Sequence, residues 1–550
     1  WTRANQEKLV IEGGFPTAFD AQVQVGHLVL RSADLLVLGV VPVLALGLAA
    51  FFRYTSYGQA IRAASENPDA ARLAGISVRR MSTMVWAIGG VLAASTGIMQ
   101  GPRISSLQVD TFGPGLLVRA LAAGLIGRMN SLPLTFAGGV GIGIVEAVIF
   151  ANRTEGGLTE LAIFAIIMAA LLVRARELSR ATRDASAGVA FGAEARAVPR
   201  RLAALPAVRR LRTIPVVAVA LLAVALPYLP ILELDTSAKT FRFTLMLAWA
   251  VVGLSLCVLT GWAGQVSLGQ VALVGAGSFG AVRLQEAGLP WPLVIVGAGL
   301  LGVGLAVVVG LPAVRIQGLF LAVSTLAFAV LATSYLFQQK ALVGDASGVF
   351  LDRPAFLHSE RSLYHLALGM VALFALVVRN FRASGPGRLL VAVRDNDRAA
   401  RADGVSATGA RLVAFALAGF MAACAGVLFA YARQRYTATT FPAGDNYRML
   451  SMVIIGGLGS IPGAILGAVF LFGLPLFIDS RLVDLAVSGL GLLVFLLFAP
   501  QGIVGLVYNA RDALIERIRR RHEGLPAPPP MIPPLRELWR VALGRPATDG

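Results

Sequence analysis

The chain has 550 residues, of which 57% are apolar and only 14% charged, and its mean hydropathy is +0.74. Soluble domains could not bury that much apolar surface, so the composition excludes a water-soluble globular protein and predicts one that lies in lipid. The formal net charge of +18 could indicate nucleic-acid binding, but the basic residues are clustered between apolar stretches, as in the loops of membrane proteins.

About fifteen apolar stretches follow one another along the chain, most of them long enough to cross a bilayer. They predict an all-α polytopic membrane protein, whose many Gly and Ala residues allow close helix packing. The stretches 116–127 and 447–457 are too short to cross comfortably and are expected to be re-entrant or tilted. The full set is 34–52, 81–99, 116–127, 133–150, 158–173, 214–230, 243–260, 268–283, 293–311, 319–338, 364–378, 412–431, 447–457, 462–478 and 483–499.

Four basic segments hold 30 of the 48 Lys and Arg residues, namely 53–80, 174–213, 379–411 and 511–550. If each apolar stretch crosses once, these segments lie on one side, and the segments of the other side share only 11. The positive-inside pattern therefore predicts that the basic loops are cytoplasmic. Residue 1 is Trp in a polar stretch predicted to lie outside, and we expect further sequence upstream of it.

The first membrane module is predicted over 1–173. Its cytoplasmic phrase SENPDAARLAGIS (65–77) predicts a turn at Asn67-Pro68, then a short helix that Asp69 caps through Arg72 and Gly75 ends. This helix is expected to lie along the membrane surface and expose small alanines. An ordinary loop between two membrane helices is the alternative.

Two charged residues of this module lie in or beside apolar stretches. Arg119, and Arg448 later in the chain, are candidates for the translocation pathway, although an arginine in this position most often reaches toward the membrane interface. Glu146 is a candidate for the translocation pathway because an intramembrane carboxylate is costly, although pairing with a nearby arginine would also explain it.

A basic cytoplasmic linker is predicted over 174–213, a second membrane module over 214–510 and a basic cytoplasmic tail over 511–550. In the second module GWAGQVSLGQ (261–270) interrupts an apolar region. Its three polar side chains are candidates for the pathway, because irregular polar backbone at membrane depth is tolerated where it lines a cavity or packs against protein. They are Gln265, Ser267 and Gln270.

Neither cysteines nor histidines indicate a disulfide or a metal site. Cys257 and Cys424 both lie in apolar stretches, where they are expected to be small packing residues. The four histidines show no metal-ligand spacing with a cysteine or carboxylate cluster.

A second cytoplasmic phrase, RDNDRAARADGVS (394–406), repeats the first at an offset of 329 residues. The offset holds over about 75 residues, which indicates an internal duplication with both modules in the same orientation. The matched pairs include Asn67 with Asn396, Gly75 with Gly404, Arg119 with Arg448, Glu146 with Pro475, and IGRMNSLP (126–133) with IGGLGSIP (455–462). A phrase present in both modules favours a docking element for a partner with two equivalent sites.

The motifs GQAIRAASENPDAARLAGISVRRM, GVLAASTGIM and GIGIVEA resemble the H-type permease of the branched-chain amino acid ABC importers. The second module resembles the M-type permease over nearly its whole length. It does so through GLSLCVLTGWAGQVSLGQ, RIQGLFLAVSTLAF, GRLLVAVRDNDRAARADGVS, IIGGLGSIPGAILG and FAPQGIVG. The chain departs from the family at Arg128 and Asn130, where a GGLGS-like turn is usual, so this turn is expected to be less tight. The GQVSLGQ motif has no counterpart in the first module at this offset, and any counterpart is expected upstream, with about three further helices.

This resemblance implies a fused H-type and M-type permease in a bacterial inner membrane, which imports leucine, isoleucine or valine. The same architecture carrying urea or short-chain amides is the alternative, and a stand-alone secondary transporter or channel is the rival class. The repeated phrases would be coupling helices for two cytoplasmic ABC ATPase subunits. The residues concerned are Glu66, Asn67, Ala70, Ala71, Gly75, Asp395, Asn396, Ala399, Ala400 and Gly404.

The partners that this resemblance implies are the two ATPases, the lipid bilayer, the amino acid and an extracytoplasmic substrate-binding protein, with no nucleic acid. The sequence contains no GxxxxGKS/T phosphate loop. ATP and Mg²⁺ are therefore expected on the ATPase subunits, with no cofactor on this chain, which is expected not to be an enzyme.

Overall fold

The computed structural model divides into two compact units, residues 1–173 and 174–550. The structure describes residues 19, 21–25, 28–103, 113–152, 157–185, 205–230, 234–313, 318–343, 348–477, 492–493 and 497–523.

The first unit begins with a short antiparallel hairpin, β1 (Gln22–Val25) and β2 (Leu28–Arg31), in which Gln22 pairs with Arg31. Long runs rich in Leu and Ala then favour helix. The helices are α1 (Ser32–Tyr54), α2 (Ser56–Glu66), α3 (Pro68–Leu73), α4 (Val78–Gln100), α5 (Pro114–Ile126), α6 (Leu132–Asn152) and α7 (Leu158–Ala185), which continues past residue 173.

The second unit contains a larger set of helices. They are α8 (Pro206–Ala225), α9 (Ser237–Leu256), α10 (Gln270–Glu286), α11 (Trp291–Ala313), α12 (Leu319–Ser334), α13 (Lys340–Val343), α14 (Glu360–Ala383), α15 (Gly385–Asp395), α16 (Asp397–Ala402), α17 (Ala407–Arg433), α18 (Asp445–Gly456), α19 (Ile461–Ala468) and α20 (Gly502–Glu523). Two short strands, β3 (Val349–Phe350) and β4 (Arg435–Tyr436), pair antiparallel. Helix α9 continues into a π-helical turn, Cys257–Trp262, and α19 into another, Val469–Gly473.

Helix α17 forms the centre of the second unit and packs against α9, α10 and α11. Glycines let the backbones touch: a Cβ on Gly277 would overlap the carbonyl of Ala423, and the hydroxyl of Ser278 donates to the Gly426 carbonyl at 2.7 Å. This is the small-residue packing expected between membrane helices. Cys257 and Cys424 are free and buried in this core.

The helical architecture confirms an all-α polytopic membrane protein. Within the described ranges, nine helices are long and apolar enough to cross a membrane, and three apolar helices are shorter. The predicted count of fifteen is not confirmed. The short stretches 116–127 and 447–457 form α5 and α18, of 13 and 12 residues, while 483–499 falls mostly outside the part that the structure describes.

The predicted linker 174–213 and tail 511–550 contain helical ends. Helix α7 extends into the linker range to Ala185, and α8 begins in it at Pro206. Helix α20 extends into the tail range to Glu523. The linker and tail boundaries stay predictions.

Candidate functional site

The two repeated phrases form the same helix–turn–helix element, here called segment 1 (residues 55–77) and segment 2 (residues 384–406). In segment 1, Asn67 separates α2 from α3; in segment 2, Asn396 separates α15 from α16. Both asparagines have nearly the same extended backbone, with φ of −147° and −150°. The repeated sequence therefore gives a repeated local fold.

Each short helix is capped by its asparagine. The Oδ1 atom of Asn67 accepts from the Asp69 and Ala70 amides at 3.1 and 3.0 Å, and Asn396 Oδ1 accepts from the Ala399 amide at 3.0 Å. The predicted cap by Asp69 was wrong. Asp69 already lies inside α3, where its carboxylate pairs with Arg72 at 3.0 Å, and only Asn67 has the extended backbone that an N-cap requires.

Glycine ends both short helices, as predicted. Gly75 and Gly404 each have φ +80°, in the left-handed region that glycine adopts at least cost. The following amides donate back across the turn, from Ile76 to the Ala71 carbonyl and from Val405 to the Ala400 carbonyl, both at 2.9 Å. This is the Schellman arrangement, and it satisfies carbonyls that the helix end leaves open.

The alanines of the two segments divide between an inner and an outer face. Ala70 and Ala399 are exposed, as predicted. Ala71 and Ala400 are only 4% and 6% exposed, so the expectation that they form the exposed face was wrong. Ala400 packs against Val393 and Ala407, because its position on α16 points toward the flanking helices.

The outer face of segment 1 also carries a large apolar side chain. Leu73, at the end of α3, is 92% exposed, and the corresponding residue of segment 2 is the exposed Ala402. We call Ala70 and Leu73, with Ala399 and Ala402, the outer faces of the two segments.

Acidic residues differ between the segments. Glu66 is exposed, whereas its counterpart Asp395 pairs with Arg394 at 2.8 Å. Asp397 binds the buried guanidinium of Arg411 at 3.3 Å, and the corresponding positions of segment 1 hold Pro68 and Ser82. Segment 2 is thus tied to its own unit by an ion pair that its repeat cannot form.

The predicted interruption at 261–270 is irregular in the structure. The π-helical turn ends at Trp262, residues 263–269 form no helix, and α10 begins at Gln270. We call residues 261–270 the break. Its polar side chains, those of Gln265, Ser267 and Gln270, are all buried.

These buried side chains are only partly satisfied. Gln265 Nε2 donates to the Ala263 carbonyl at 3.2 Å, and Gln270 Oε1 accepts from Ser255 at 3.4 Å. Gln265 Oε1 and Gln270 Nε2 have no hydrogen-bond partner among the described residues. A cavity beside Ser267 and Gln270 measures about 10 Å³, room for one water at most. The break is therefore closed in this conformation.

Three contacts that the sequence did not predict hold the break in place. Asn446 Oδ1 accepts from the Val271 amide at 3.0 Å, Thr325 Oγ1 accepts from the Leu268 amide at 2.9 Å, and Trp262 Nε1 donates to the Gly459 carbonyl at 2.8 Å. A signal for Asn446 existed, since it is an amide residue just before a short apolar stretch. The partner, however, is 175 residues away along the chain.

Arg119 and Glu146 form an ion pair, which is the alternative explanation considered for Glu146. Their closest atoms are 2.6 Å apart, and Glu160 lies 3.4 Å from the same guanidinium nitrogen. All three side chains are half-buried, and Arg119 and Glu146 line a cavity of about 630 Å³ whose other lining residues are mostly alanine and glycine. Glu160, which the sequence pattern did not single out, is an acidic residue inside the stretch 158–173.

Arg448, the counterpart of Arg119, has different surroundings. Its side chain is 71% exposed and lies 3.5 Å from Asp445, one turn earlier on α18. Pro475 occupies the position that corresponds to Glu146. Gly97 lines the unit 1 cavity, whereas its counterpart Gly426 lies against the backbone of α10. The two arginines therefore do not form equivalent sites.

Comparisons with known proteins match this chain to permeases of transport systems. The family described as "Branched-chain amino acid transport system / permease component" matches residues 7–176 and again 240–494. The permease LivM of Escherichia coli K12 is 27% identical over 320 residues, which cover 52% of this chain and 74% of LivM. LivM of Salmonella typhimurium is 26% identical over 292 residues, which cover 48% of this chain and 68% of that LivM.

The permease LivH of Escherichia coli K12 is 31% identical over 163 residues, covering 29% of this chain and 52% of LivH. The chain thus spans about half the length of LivH. No solved structure matches the chain at a significant level.

Proposed function

The chain belongs to the family of branched-chain amino acid transport system permease components, and from this premise we propose that it forms the membrane path of an ATP-driven importer of leucine, isoleucine and valine. The relatives named above are high-affinity branched-chain amino acid permeases of the LivM and LivH types. Their names favour this cargo over urea or short-chain amides, and this class over a stand-alone secondary transporter or channel.

The repeated segments support the proposed coupling to ATP hydrolysis. Two elements with the same cap, the same glycine end and an exposed outer face suit a partner that presents two equivalent clefts. Two cytoplasmic ATPase subunits are such a partner, and they would bind ATP and Mg²⁺. The observation that carries this proposal is the matching geometry of Asn67–Gly75 and Asn396–Gly404.

The orientation follows from charge. With the basic loops, linker and tail in the cytoplasm, segments 1 and 2 face the ATPases. An extracytoplasmic binding protein then delivers the amino acid to the opposite side. The permease itself needs only a weak site, and the closed break with its buried glutamines is our candidate for part of the path.

The test is uptake into vesicles that contain this chain, its two ATPases and the binding protein. Labelled leucine, isoleucine or valine should accumulate only with ATP inside, and a non-hydrolysable ATP analogue in matched vesicles should give none. Uptake driven by an ion gradient without ATP would contradict the importer class. ATP-driven uptake of urea alone would keep the class and contradict the cargo.

A further inference from the structure

Arg394 connects segment 2 directly to the break in the membrane helix. It lies in the last turn of α15, and its Nη1 donates to the carbonyl oxygen of Gly261 at 2.7 Å. Its Nε and Nη2 both lie 2.8 Å from the carboxylate of Asp395. The carboxylate holds the guanidinium plane, so the bond to Gly261 has a fixed direction.

Two glycines of the break allow this contact. The stem of Arg394 lies against Gly264, where an added Cβ would be 2.9 Å from Arg394 Cγ. Gly264 also has φ +65°. The backbone of Gly261 also lies against Gly459. The indole of Trp262 donates a hydrogen bond to the carbonyl of the same Gly459. The start of the break is therefore held between segment 2 and the turn at 457–460.

The break contains polar groups that fit a second arrangement. Buried polar atoms without partners are rare in folded proteins, yet Gln265 Oε1 and Gln270 Nε2 have none among the described residues. In the closed conformation the adjoining cavity holds at most one water. Opening of the break would admit water, which can hydrogen-bond both atoms.

We propose that Arg394 is a positioning residue through which movement of segment 2 opens and closes the break at 261–270. The proposal rests on the proposed function, because it assumes that ATPase subunits move segment 2. Through its charge-assisted hydrogen bond to the Gly261 carbonyl, Arg394 transmits a displacement of segment 2 to the break. Arg394 itself does not contact the cargo. Arg394 acts on Gly261, and Gly261 carries the polar residues that follow it.

Segment 1 has no guanidinium at the corresponding position. Residue 65 is a serine, exposed, whose hydroxyl donates to the Arg62 carbonyl within its own helix at 2.8 Å. The two segments share their docking geometry but not this link. Control of the break therefore passes through segment 2.

The experiment compares Arg394→Gln with Arg388→Gln, a change of an exposed arginine on the same helix whose guanidinium donates to the nearby Ala383 carbonyl. Three quantities are measured: ATPase co-purification, leucine taken up per ATP hydrolysed, and ATP-dependent thiol labelling of Ser267→Cys. Both native cysteines are buried, which keeps background labelling low.

For Arg394→Gln we expect normal ATPase co-purification and a fall of about tenfold or more in leucine taken up per ATP, the size that loss of one charge-assisted hydrogen bond implies. The labelling of Ser267→Cys should no longer respond to ATP. Arg388→Gln should match the wild type in all three measurements. A residue that only stabilises the fold would lower protein amount without changing uptake per ATP.

Arg394→Lys keeps the charge on a single donor nitrogen but loses the planar fork, so its uptake per ATP should lie between those of Arg394→Gln and the wild type. If Arg394→Gln fails to reach the membrane, Arg394→Lys becomes the deciding variant. The proposal would be overturned if the deciding variant, Arg394→Gln or in its place Arg394→Lys, matched the wild type both in uptake per ATP and in labelling. A wild-type protein that takes up no leucine with ATP would instead remove the proposed function, and this link with it.

Discussion

Segments 1 and 2 have the same local fold in different surroundings. Asn67 and Asn396 cap alike, and Gly75 and Gly404 turn alike, although segment 2 has the additional contacts Asp397–Arg411 and Arg394–Gly261. The shared part depends on bonds within about ten residues. The link to the break depends on a residue 133 positions away along the chain. Short-range chemistry therefore builds the element, and longer-range contacts decide what it is connected to.

The turns 126–133 and 455–462 also correspond in the repeat, but they differ in their local backbone angles. Gly457 and Gly459 have φ of +118° and +83°, and Arg128, the counterpart of Gly457, is forced to φ +59°, with Met129 at +54°. The first turn therefore places side chains in the left-handed region, where they are costly. The two turns therefore differ at Arg128 and Met129 in their backbone angles, while the expectation that the first turn is less tight stays a prediction.

The largest expected effect separates the inner from the outer face of each segment. Ala400→Trp should destabilise the protein by about 3 kcal/mol or more, because the side chain must enter a packed site beside Val393 and Ala407. The matched change Ala399→Trp, on the exposed face, should stay within about 0.5 kcal/mol. Thermal unfolding in detergent measures both. Equal effects would contradict the division into two faces, and Ala71→Trp against Ala70→Trp repeats the test in segment 1.

Gly457→Ala should cost about 2 kcal/mol. A methyl group there would overlap Cγ1 of Val504 and lie 3.1 Å from the Gln501 carbonyl, on a backbone that favours glycine. The melting temperature of the purified variant gives the answer. An unchanged value would show that the turn of unit 2 is not as tightly packed as described.

Gly75→Ala and Gly404→Ala should each cost about 1 kcal/mol. Both positions have φ +80° with no atom within 4 Å of the added methyl group, so the penalty is one of backbone conformation alone. The two values should therefore agree. Unfolding measurements that differ by more than about 1 kcal/mol would show that the surroundings act on the two helix ends differently.

The smallest expected effect is a gain. Arg128→Gly should stabilise unit 1 by up to about 1 kcal/mol, since it relieves a left-handed residue, partly offset by greater freedom of the unfolded chain. A modest rise in melting temperature is expected. A fall would mean that the Arg128 side chain makes a contact worth more than the strain.

Much of this molecule could be predicted from local pattern. Apolar stretches predicted the helices, and the repeat predicted that Gly75 and Gly404 end short helices. The capping residue was missed because Asn67 and Asp69 both suit a cap, and only the backbone at Asn67 decides between them. The burial of Ala71 and Ala400 was missed because a six-residue helix has too little periodicity to show its inner face.

Contacts between distant residues could not be predicted. Nothing near Arg394 indicates Gly261, and nothing near Val271 indicates Asn446, because each pair meets only when helices of unit 2 pack. The Arg119–Glu146 pair was foreseeable as an alternative, since an intramembrane carboxylate needs a cation. Glu160 carries the same signal, since it is also acidic within an apolar stretch.

The most direct test of the central claim, that both segments dock ATPase subunits, is a pull-down with bulky residues on the outer faces. Ala70→Trp with Ala399→Trp should weaken each contact by about 1–3 kcal/mol, roughly tenfold per 1.4 kcal/mol, and abolish ATPase co-purification and leucine uptake at equal membrane levels. The control Ala63→Trp with Ala392→Trp alters exposed alanines that correspond at the same offset on α2 and α15, and it should retain both. A double outer-face variant that keeps its ATPases and its uptake would contradict the account.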